Sequence, residues 1–340
     1  MKKNLISAML CLVMSIGLFT GCSSTGTAVT TQDTASTEIT KAIESVKASE
    51  SSVKAASDLK YAVVLHALNS SFYAKIQAGA EEAGKALGVQ VDVMAPTTAN
   101  NLAEQVSMIE TCIASGYDGI ATVVWDPDGF NDVLKKAADA GIPVISLNQN
   151  SGKEDGTVFI GQDLEESGYM LGKYMFETVM GGEGKYIIAS CAPADVALIA
   201  RETGIKRAAE EFPNIEFVEE IDITTDLTTA VGVIENAYLA NPDVTAFLGV
   251  DVFSESIGTF IEANQLNGKV FGAGYDLTEG TLQHVKDNAM QLTIGQNPFL
   301  QGYYPVVQLF TESQYGYAPL DMSTGAFLVT KDNVAEVDPE

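Results

Sequence analysis

The stretch IATVVWDPDGFNDVLKKAADAGIPVISLN, residues 120–148, contains the patterns of a strand, a helix and a second strand. IATVVW is an apolar and β-branched run, FNDVLKKAADAG has apolar residues at helical spacing and ends at glycine, and PVISLN is apolar again. Apolar strands without polar alternation, separated by amphipathic helices, are typical of parallel sheets that helices cover on both faces. The chain's single tryptophan, Trp125, is followed at once by Asp126, so this strand pattern ends in a carboxylate.

The same alternation continues along the chain from about residue 60. A first series of strands and helices ends with residues 120–148, and a second begins at TVFIGQD, residues 157–163. Two such series predict an α/β protein with two doubly wound parallel-sheet lobes. A length of 340 residues also favours two domains.

The N-terminus has the pattern of an export signal over residues 1–21, with Lys2 and Lys3 before the apolar run LISAMLCLVMSIGLF. Its ending resembles a bacterial lipoprotein signal, which implies that Cys22 is acylated and anchors the protein to the cell membrane. An ordinary secretory signal with an incidental cysteine, or an uncleaved anchor, remains the alternative. Residues 22–59 are rich in Ser, Thr, Ala, Lys and Glu, which predicts a flexible tether.

The net charge of −26 argues against nucleic acid and anionic headgroups as partners, so membrane contact is expected through the lipid alone. Of the four cysteines, Cys11 and Cys22 belong to the signal and its lipidation site, and Cys112 and Cys191 are far apart. This spacing argues against a disulfide framework and against a thiolate zinc site. We expect no cofactor and no metal.

Polar residues follow the predicted strands at their carboxyl ends, where open α/β sheets bind ligands. These residues are His66, Asn69, Asp126, Asn148, Gln162, Asp251, Asp276 and Gln296. Carboxylates and amides suit a ligand rich in hydroxyl groups, because carboxylates accept hydrogen bonds and amides both donate and accept them. Phe72, Tyr73 and Trp125 are suited to cover the apolar face of a sugar ring.

Structural roles are a serious alternative for several of these residues. Asp126 precedes Pro127, a common helix start, and Asp276 stands three residues before Glu279, close to a capping box. Arg201 opens a helical pattern, where the macrodipole disfavours a positive charge, so a ligand or a cleft carboxylate is expected to hold it there. A solvated surface arginine is the other interpretation.

Seven segments of the sequence together resemble those of a known family. They are AGAEEAGKALGVQV, GYDGIATVVWDPDGF, DAGIPVISLN, VFIGQDLEESGYMLGKYM, ARETGIKRA, VFGAGYD and LTIGQNPFLQGYYPV. In order and spacing, from about Tyr61 to Val337, they resemble the sugar-binding proteins of bacterial ABC importers, in the ribose- and galactose-binding group of the type 1 periplasmic binding proteins. The resemblance implies a monomeric extracytoplasmic receptor that closes its two lobes on a ligand in the cleft and presents it to a permease.

The resemblance also implies site residues. In chain order the matching positions are Asn69, Phe72, Tyr73, Asp126, Arg201, Asp251, Asp276 and Gln296. Asn148 and Gln149 stand where ribose binders carry an aspartate–arginine pair. This departure leaves more negative charge in the cleft, which puts ribose in doubt and leaves open other sugars, polyols or a ligand with some positive character.

Family members cross between lobes three times, which predicts lobe boundaries. The first lobe is expected to hold residues 60–161 and 297–318, and the second lobe residues 162–296 and 319–340. The crossings are then near Gly161–Gln162, Gln296–Asn297 and Pro319–Met322.

Rival functions find little support in the sequence. The segment MGGEGKY lacks the first glycine and the Ser or Thr of a phosphate-binding loop. His66 and His284 are the only histidines in the sequence, which argues against a histidine-based catalytic site. A transcription factor of this fold would need a basic helix-turn-helix before the first strand. A sensor that presents its ligand to a membrane receptor, or a receptor for nucleosides or furanone-type signals, is not distinguished from sugar import.

Overall fold

The computed structural model describes residues 54–68, 70–126, 128–149 and 157–339. The predicted signal peptide, the lipidation site Cys22 and the predicted tether up to residue 53 lie outside the described residues, as does Asn69. None of the helices in the described ranges is long and apolar enough to cross a membrane.

The first sheet has six strands, all parallel, in the order β11-β5-β4-β3-β1-β2. They are β1 (Lys60–Val64), β2 (Gln90–Met94), β3 (Gly119–Thr122), β4 (Val144–Leu147), β5 (Val158–Gly161) and β11 (Met322–Ser323). The helices of this first lobe are α1 (Ser71–Leu87), α2 (Leu102–Ala114), α3 (Asn131–Asp139) and α9 (Pro298–Tyr315).

The second sheet also has six strands, in the order β12-β10-β9-β8-β6-β7, with β12 antiparallel to β10 and the other pairs parallel. They are β6 (Glu183–Ser190), β7 (Asn214–Asp222), β8 (Ala246–Gly249), β9 (Phe271–Tyr275), β10 (Leu292–Gly295) and β12 (Phe327–Thr330). The helices of this second lobe are α4 (Leu164–Lys173), α5 (Val196–Ala209), α6 (Leu227–Ala240), α7 (Glu255–Ala263) and α8 (Glu279–Lys286). A π-helical segment, Tyr174–Val179, continues α4. The prediction of two parallel-sheet α/β lobes is confirmed.

Both faces of each sheet are buried, which explains the absence of polar alternation in the strands. In β1, Tyr61 and Val63 pack into the apolar cluster on one face, and Ala62 and Val64 pack into the cluster on the other. Each fully buried valine contributes about 1.5–3 kcal/mol relative to an exposed one.

Glycines bring two helix pairs into close contact, one pair in each lobe. A Cβ at Gly79 of α1 would lie 1.9 Å from the carbonyl oxygen of Phe299 in α9. A Cβ at Gly168 of α4 would lie 1.9 Å from the carbonyl oxygen of Arg201 in α5. Real Cβ atoms essentially never approach within 3.0 Å, so only glycine fits at these two positions. The second contact fixes the backbone that carries Arg201.

The lobe boundaries differ from the predicted ones in two places. Met322 and Ser323 pair with β5, so the third crossing follows Ser323, and residues 319–323 belong to the first lobe and not to the second. A two-residue strand has too few residues to show a pattern in the sequence. The predicted tether also ends earlier than residue 59, because Leu59 is buried and Lys54 forms an ion pair with Asp118 at 2.5 Å.

Candidate ligand-binding site

A cavity of about 540 Å³ lies where the carboxyl ends of strands from both sheets meet. This volume is typical of a site for a small ligand. Nine of the predicted site residues line it: Phe72, Tyr73, Trp125, Asn148, Gln149, Arg201, Asp251, Asp276 and Gln296. Their contact with a ligand stays a prediction.

The structure does not bring Asp126 into the cavity wall. Its Oδ1 accepts hydrogen bonds from the backbone N–H of Asp128 at 3.0 Å and of Gly129 at 2.7 Å. The carboxylate therefore stabilises the turn that leads into α3. Of the two interpretations of this residue, the structural one matches the observed contacts.

Aromatic rings form the first-lobe wall of the cavity. Phe72 and Tyr73 lie at the start of α1 with their rings edge to face and 5.3 Å apart. The indole nitrogen of Trp125 donates to Oε1 of Gln105 at 2.9 Å, and Gln105 is fully buried. The ring of Trp125 is thus held by its own lobe while it lines the cavity.

Asn148, in place of a family aspartate, is engaged by the protein itself. It has a positive φ of 63°, and its Nδ2 donates to Oε1 of Gln301 in α9 at 3.1 Å. Gln301 in turn donates to the carbonyl oxygen of Gln296 at 3.0 Å. This chain of amides ties the end of β4 to the crossing after β10.

Arg201 lies at the centre of the second-lobe wall and is 5% exposed. Its Nη1 donates to the carbonyl oxygen of Val250 at 2.7 Å, and its Nη2 donates to Oε1 of Gln162 at 3.0 Å. The guanidinium also stacks over the ring of Tyr275, 3.8 Å from its centroid. The interpretation of a solvated arginine is wrong.

The expectation that Arg201 opens a helix is also wrong. Helix α5 begins at Val196, and Asp195 caps it by accepting from the backbone N–H of Ala197 at 2.8 Å. Arg201 therefore lies in the second turn of the helix, beyond the strongest effect of the helix dipole. Its polar and aromatic neighbours, and not the dipole, explain its position.

Asp251 follows β8 and has both carboxylate oxygens engaged. Oδ2 accepts from the N–H of Cys191 at 2.7 Å, and Oδ1 accepts from the N–H of Phe253 at 2.7 Å, where it caps a short 3₁₀ helix. Burial raises the pKa of Asp251, and the hydrogen bonds together with the charge of Arg201 act in the opposite direction.

Asp276 follows β9 with a positive φ of 66° and lies beside Gln296. The Nε2 of Gln296 donates to Oδ1 of Asp276 at 2.6 Å. Burial raises the pKa of Asp276, and the nearby charge of Arg201 partly offsets this. Asp276 does not cap α8, because the side chain of Thr278 accepts from the N–H of Thr281 at 3.0 Å in that role. The capping-box interpretation of Asp276 is wrong.

Sequence reasoning did not select several residues that line the cavity. They are Cys191, Asp195 and Phe253, among others. Asp195 caps α5 and Phe253 lies in a short 3₁₀ helix, and no strand pattern in the sequence pointed to either. His66, which the sequence placed at a strand end, also lines the cavity. Among the described lining residues, the carboxylates of Asp195, Asp251 and Asp276 outnumber the lysines and arginines, of which Arg201 is the only one.

Known proteins that are similar to this chain over most of its length are named as binding proteins. The Xylose/arabinose-binding protein XylF of Sulfolobus acidocaldarius is 26% identical over 293 residues, which cover 81% of this chain and 72% of XylF. The Ribose import binding protein RbsB of Salmonella typhimurium is 28% identical over 253 residues, which cover 73% of this chain and 82% of RbsB.

A solved structure with the same fold contains a sugar. It is that of an ABC transporter solute binding protein from Burkholderia graminis in complex with D-arabinose, 29% identical, with a TM-score of 0.76. The alignment covers 84% of this chain and 99% of that chain. The family model described as "Periplasmic binding protein domain" matches residues 61–315. Because that match spans about three quarters of the chain, the protein belongs to the periplasmic binding protein family.

Proposed function

We propose that the protein is an extracytoplasmic receptor that captures a sugar in this cavity and delivers it to the permease of an ABC importer. The observation that carries the proposal is that the two walls of the cavity differ in composition, one being aromatic and the other polar. Phe72, Tyr73 and Trp125 offer aromatic surface from the first lobe, and Arg201 and Asp276 offer polar groups from the second. Sugar rings have apolar faces and polar edges, so the two walls complement such a ligand.

The relatives support the same class of ligand. XylF and RbsB are named for xylose, arabinose and ribose, and the Burkholderia protein was solved with D-arabinose. The changed pair at Asn148 and Gln149 supports a sugar other than ribose, because the aspartate–arginine pair of ribose binders is absent there.

Capture is proposed to occur by closure of the two lobes around the ligand. Tyr73 belongs to the first lobe; burial raises its pKa, and the charges of Asp276 and Asp195 in the second lobe raise it further. These groups come close only when the lobes approach each other. A ligand that binds both walls therefore favours the closed arrangement, which the permease is proposed to recognise.

The receptor is proposed to bind its ligand without catalysing a reaction on it. Burial raises the pKa of the Cys191 thiol and of the Tyr73 hydroxyl, which keeps both groups protonated and poorly nucleophilic at neutral pH. The names of the relatives, all binding proteins, support this view.

We further propose that Cys22 carries the lipid that anchors the receptor to the outer face of the cell membrane, and that the receptor works as a monomer. The pattern of residues 1–21 supports the anchor. Mass spectrometry of the mature N-terminus tests it: an unmodified Cys22 would refute lipidation.

The function is tested by thermal unfolding of the purified protein with a panel of pentoses, hexoses, inositols, nucleosides, amines and furanone-type signals. A ligand that binds only the folded state at a hundred times its dissociation constant stabilises it by about 2.7 kcal/mol. A shift with one sugar supports the proposal. A shift only with nucleosides, furanones or amines would replace the sugar with another ligand class, and binding without any loss of uptake in a deletion strain would favour a sensor.

A further inference from the structure

His66 lies in the first-lobe wall of the cavity, just after β1, and is 7% exposed. Its Nε2 is 2.6 Å from the hydroxyl oxygen of Tyr73, and the two rings meet edge to face with centroids 5.0 Å apart. The imidazole therefore packs against a tyrosine that also lines the cavity.

The second ring nitrogen of His66 is unpaired among the described residues. Nδ1 is buried and makes no hydrogen bond with any residue that the structure describes. A neutral imidazole can satisfy the Tyr73 hydroxyl through Nε2 in either tautomer, at the cost of one unpaired nitrogen. A protonated imidazole would add a buried charge and leave its Nδ1–H unpaired, which is far more costly.

We propose that His66 is a positioning residue that holds the Tyr73 hydroxyl for the ligand only while its imidazole is neutral, so that ligand capture weakens in mildly acidic solution. This inference rests on the proposed function, since it assumes that Tyr73 contacts the captured sugar. The role differs from that of the predicted site residues, because His66 acts through Tyr73.

The charged groups around His66 and Tyr73 do not stabilise the protonated imidazole by an ion pair. The titratable groups that act on the pair are Tyr73 itself, from α1, and the carboxylates of Asp276 and Asp195, from the second lobe. Neither carboxylate is within ion-pair distance of His66, and the ion pairs among the described residues include none with this imidazole. Burial accordingly lowers the pKa of His66 from 6.5 to about 4.

The size of the effect follows from linkage between protonation and closure. An imidazole that titrates at its ordinary pKa of 6.5 in the open cleft and at about 4 in the assembled cleft resists closure below pH 6.5. The dissociation constant is then expected to rise about 30-fold between pH 7.5 and pH 5.0. Above pH 7 the same histidine contributes almost no pH dependence.

The first test uses the full-length protein with and without saturating D-arabinose, or the sugar that gives the largest thermal shift. The chain has 2 histidines, so NMR titration of the labelled imidazoles resolves both, and His66→Gln assigns them. We expect a His66 pKa near 6.5 in the ligand-free protein and below 5 in the complex. A His66 pKa that does not fall when the sugar binds would overturn the proposal.

The second test uses the sugar that gives the largest thermal shift, with D-arabinose as the first probe. Its dissociation constant is measured by calorimetry at several pH values for the wild type, His66→Gln and His284→Gln. Glutamine can still form a hydrogen bond with Tyr73 but does not titrate. The dissociation constant of His66→Gln should therefore lie within a few-fold of the wild-type value at pH 7.5 and should rise much less than the wild-type value at pH 5.0. His284→Gln, the matched control in α8, should show the same rise of the dissociation constant in acid as the wild type.

The outcomes separate this inference from the proposed function. A flat wild-type profile, or a His66→Gln profile as steep as that of the wild type, would overturn the role of His66 and leave sugar binding intact. If no sugar binds at any pH, the proposed function fails. In that case this inference, which assumes a captured sugar, fails with it, whereas a flat profile together with tight sugar binding refutes the role of His66 alone.

Discussion

Replacement of Gly168 by alanine tests the helix contact that positions Arg201. The added Cβ would lie 1.9 Å from the carbonyl oxygen of Arg201, and contacts below 3.0 Å are essentially never seen, so α4 and α5 must separate by at least about 1.1 Å. Overpacking of this kind costs typically about 1–3 kcal/mol. The intrinsic gain of alanine over glycine in a helix, about 1 kcal/mol, offsets part of it.

We expect Gly168→Ala to lower the unfolding midpoint by a few degrees and to weaken ligand binding about tenfold, since the guanidinium of Arg201 moves with its backbone. Gly232→Ala is the matched control. Gly232 lies inside α6 with no atom within 4 Å of an added Cβ, so the same substitution should stabilise the protein by about 0.5–1 kcal/mol. Thermal unfolding and calorimetry measure both effects. If Gly168→Ala is as stable as Gly232→Ala and binds as tightly as the wild type, the close helix contact does not position Arg201.

Three further substitutions separate structural roles from ligand contact. Asp126→Ala should cost about 1 kcal/mol of unfolding free energy, by the loss of turn hydrogen bonds, and leave ligand affinity within twofold; a large loss of affinity would return this carboxylate to the site. Trp125→Phe removes the donor to buried Gln105, so chemical denaturation should show a loss of about 1–3 kcal/mol in the ligand-free protein, and an unchanged midpoint would contradict the hydrogen bond. Burial and the neighbouring carboxylate of Glu220 raise the pKa of Glu202 to about 7, so the wild type loses stability as pH rises from 4.5 through 7. Glu202→Gln should therefore stabilise the protein more at pH 8 than at pH 5, and an equal effect at both would exclude this titration.

The pattern of apolar runs determined the fold class by itself. Strands such as β1 are buried on both faces, and only a sheet covered by helices on both sides demands that composition. The same reasoning placed most polar candidates at the cavity, because the carboxyl ends of parallel strands converge at one edge and side chains such as Asp251 and Gln296 follow directly after them.

Tertiary structure decided what each candidate does there. The sequence shows that Asp126 follows a strand, but only the path of the following turn sends its carboxylate to backbone N–H groups and away from the cavity. Likewise Arg201 acquires its partners from the residue after β8 and from the first crossing, which are far away along the chain. Local patterns report burial and periodicity, whereas the direction of a side chain and the partners it meets depend on contacts between distant segments, and these exist only in the folded chain.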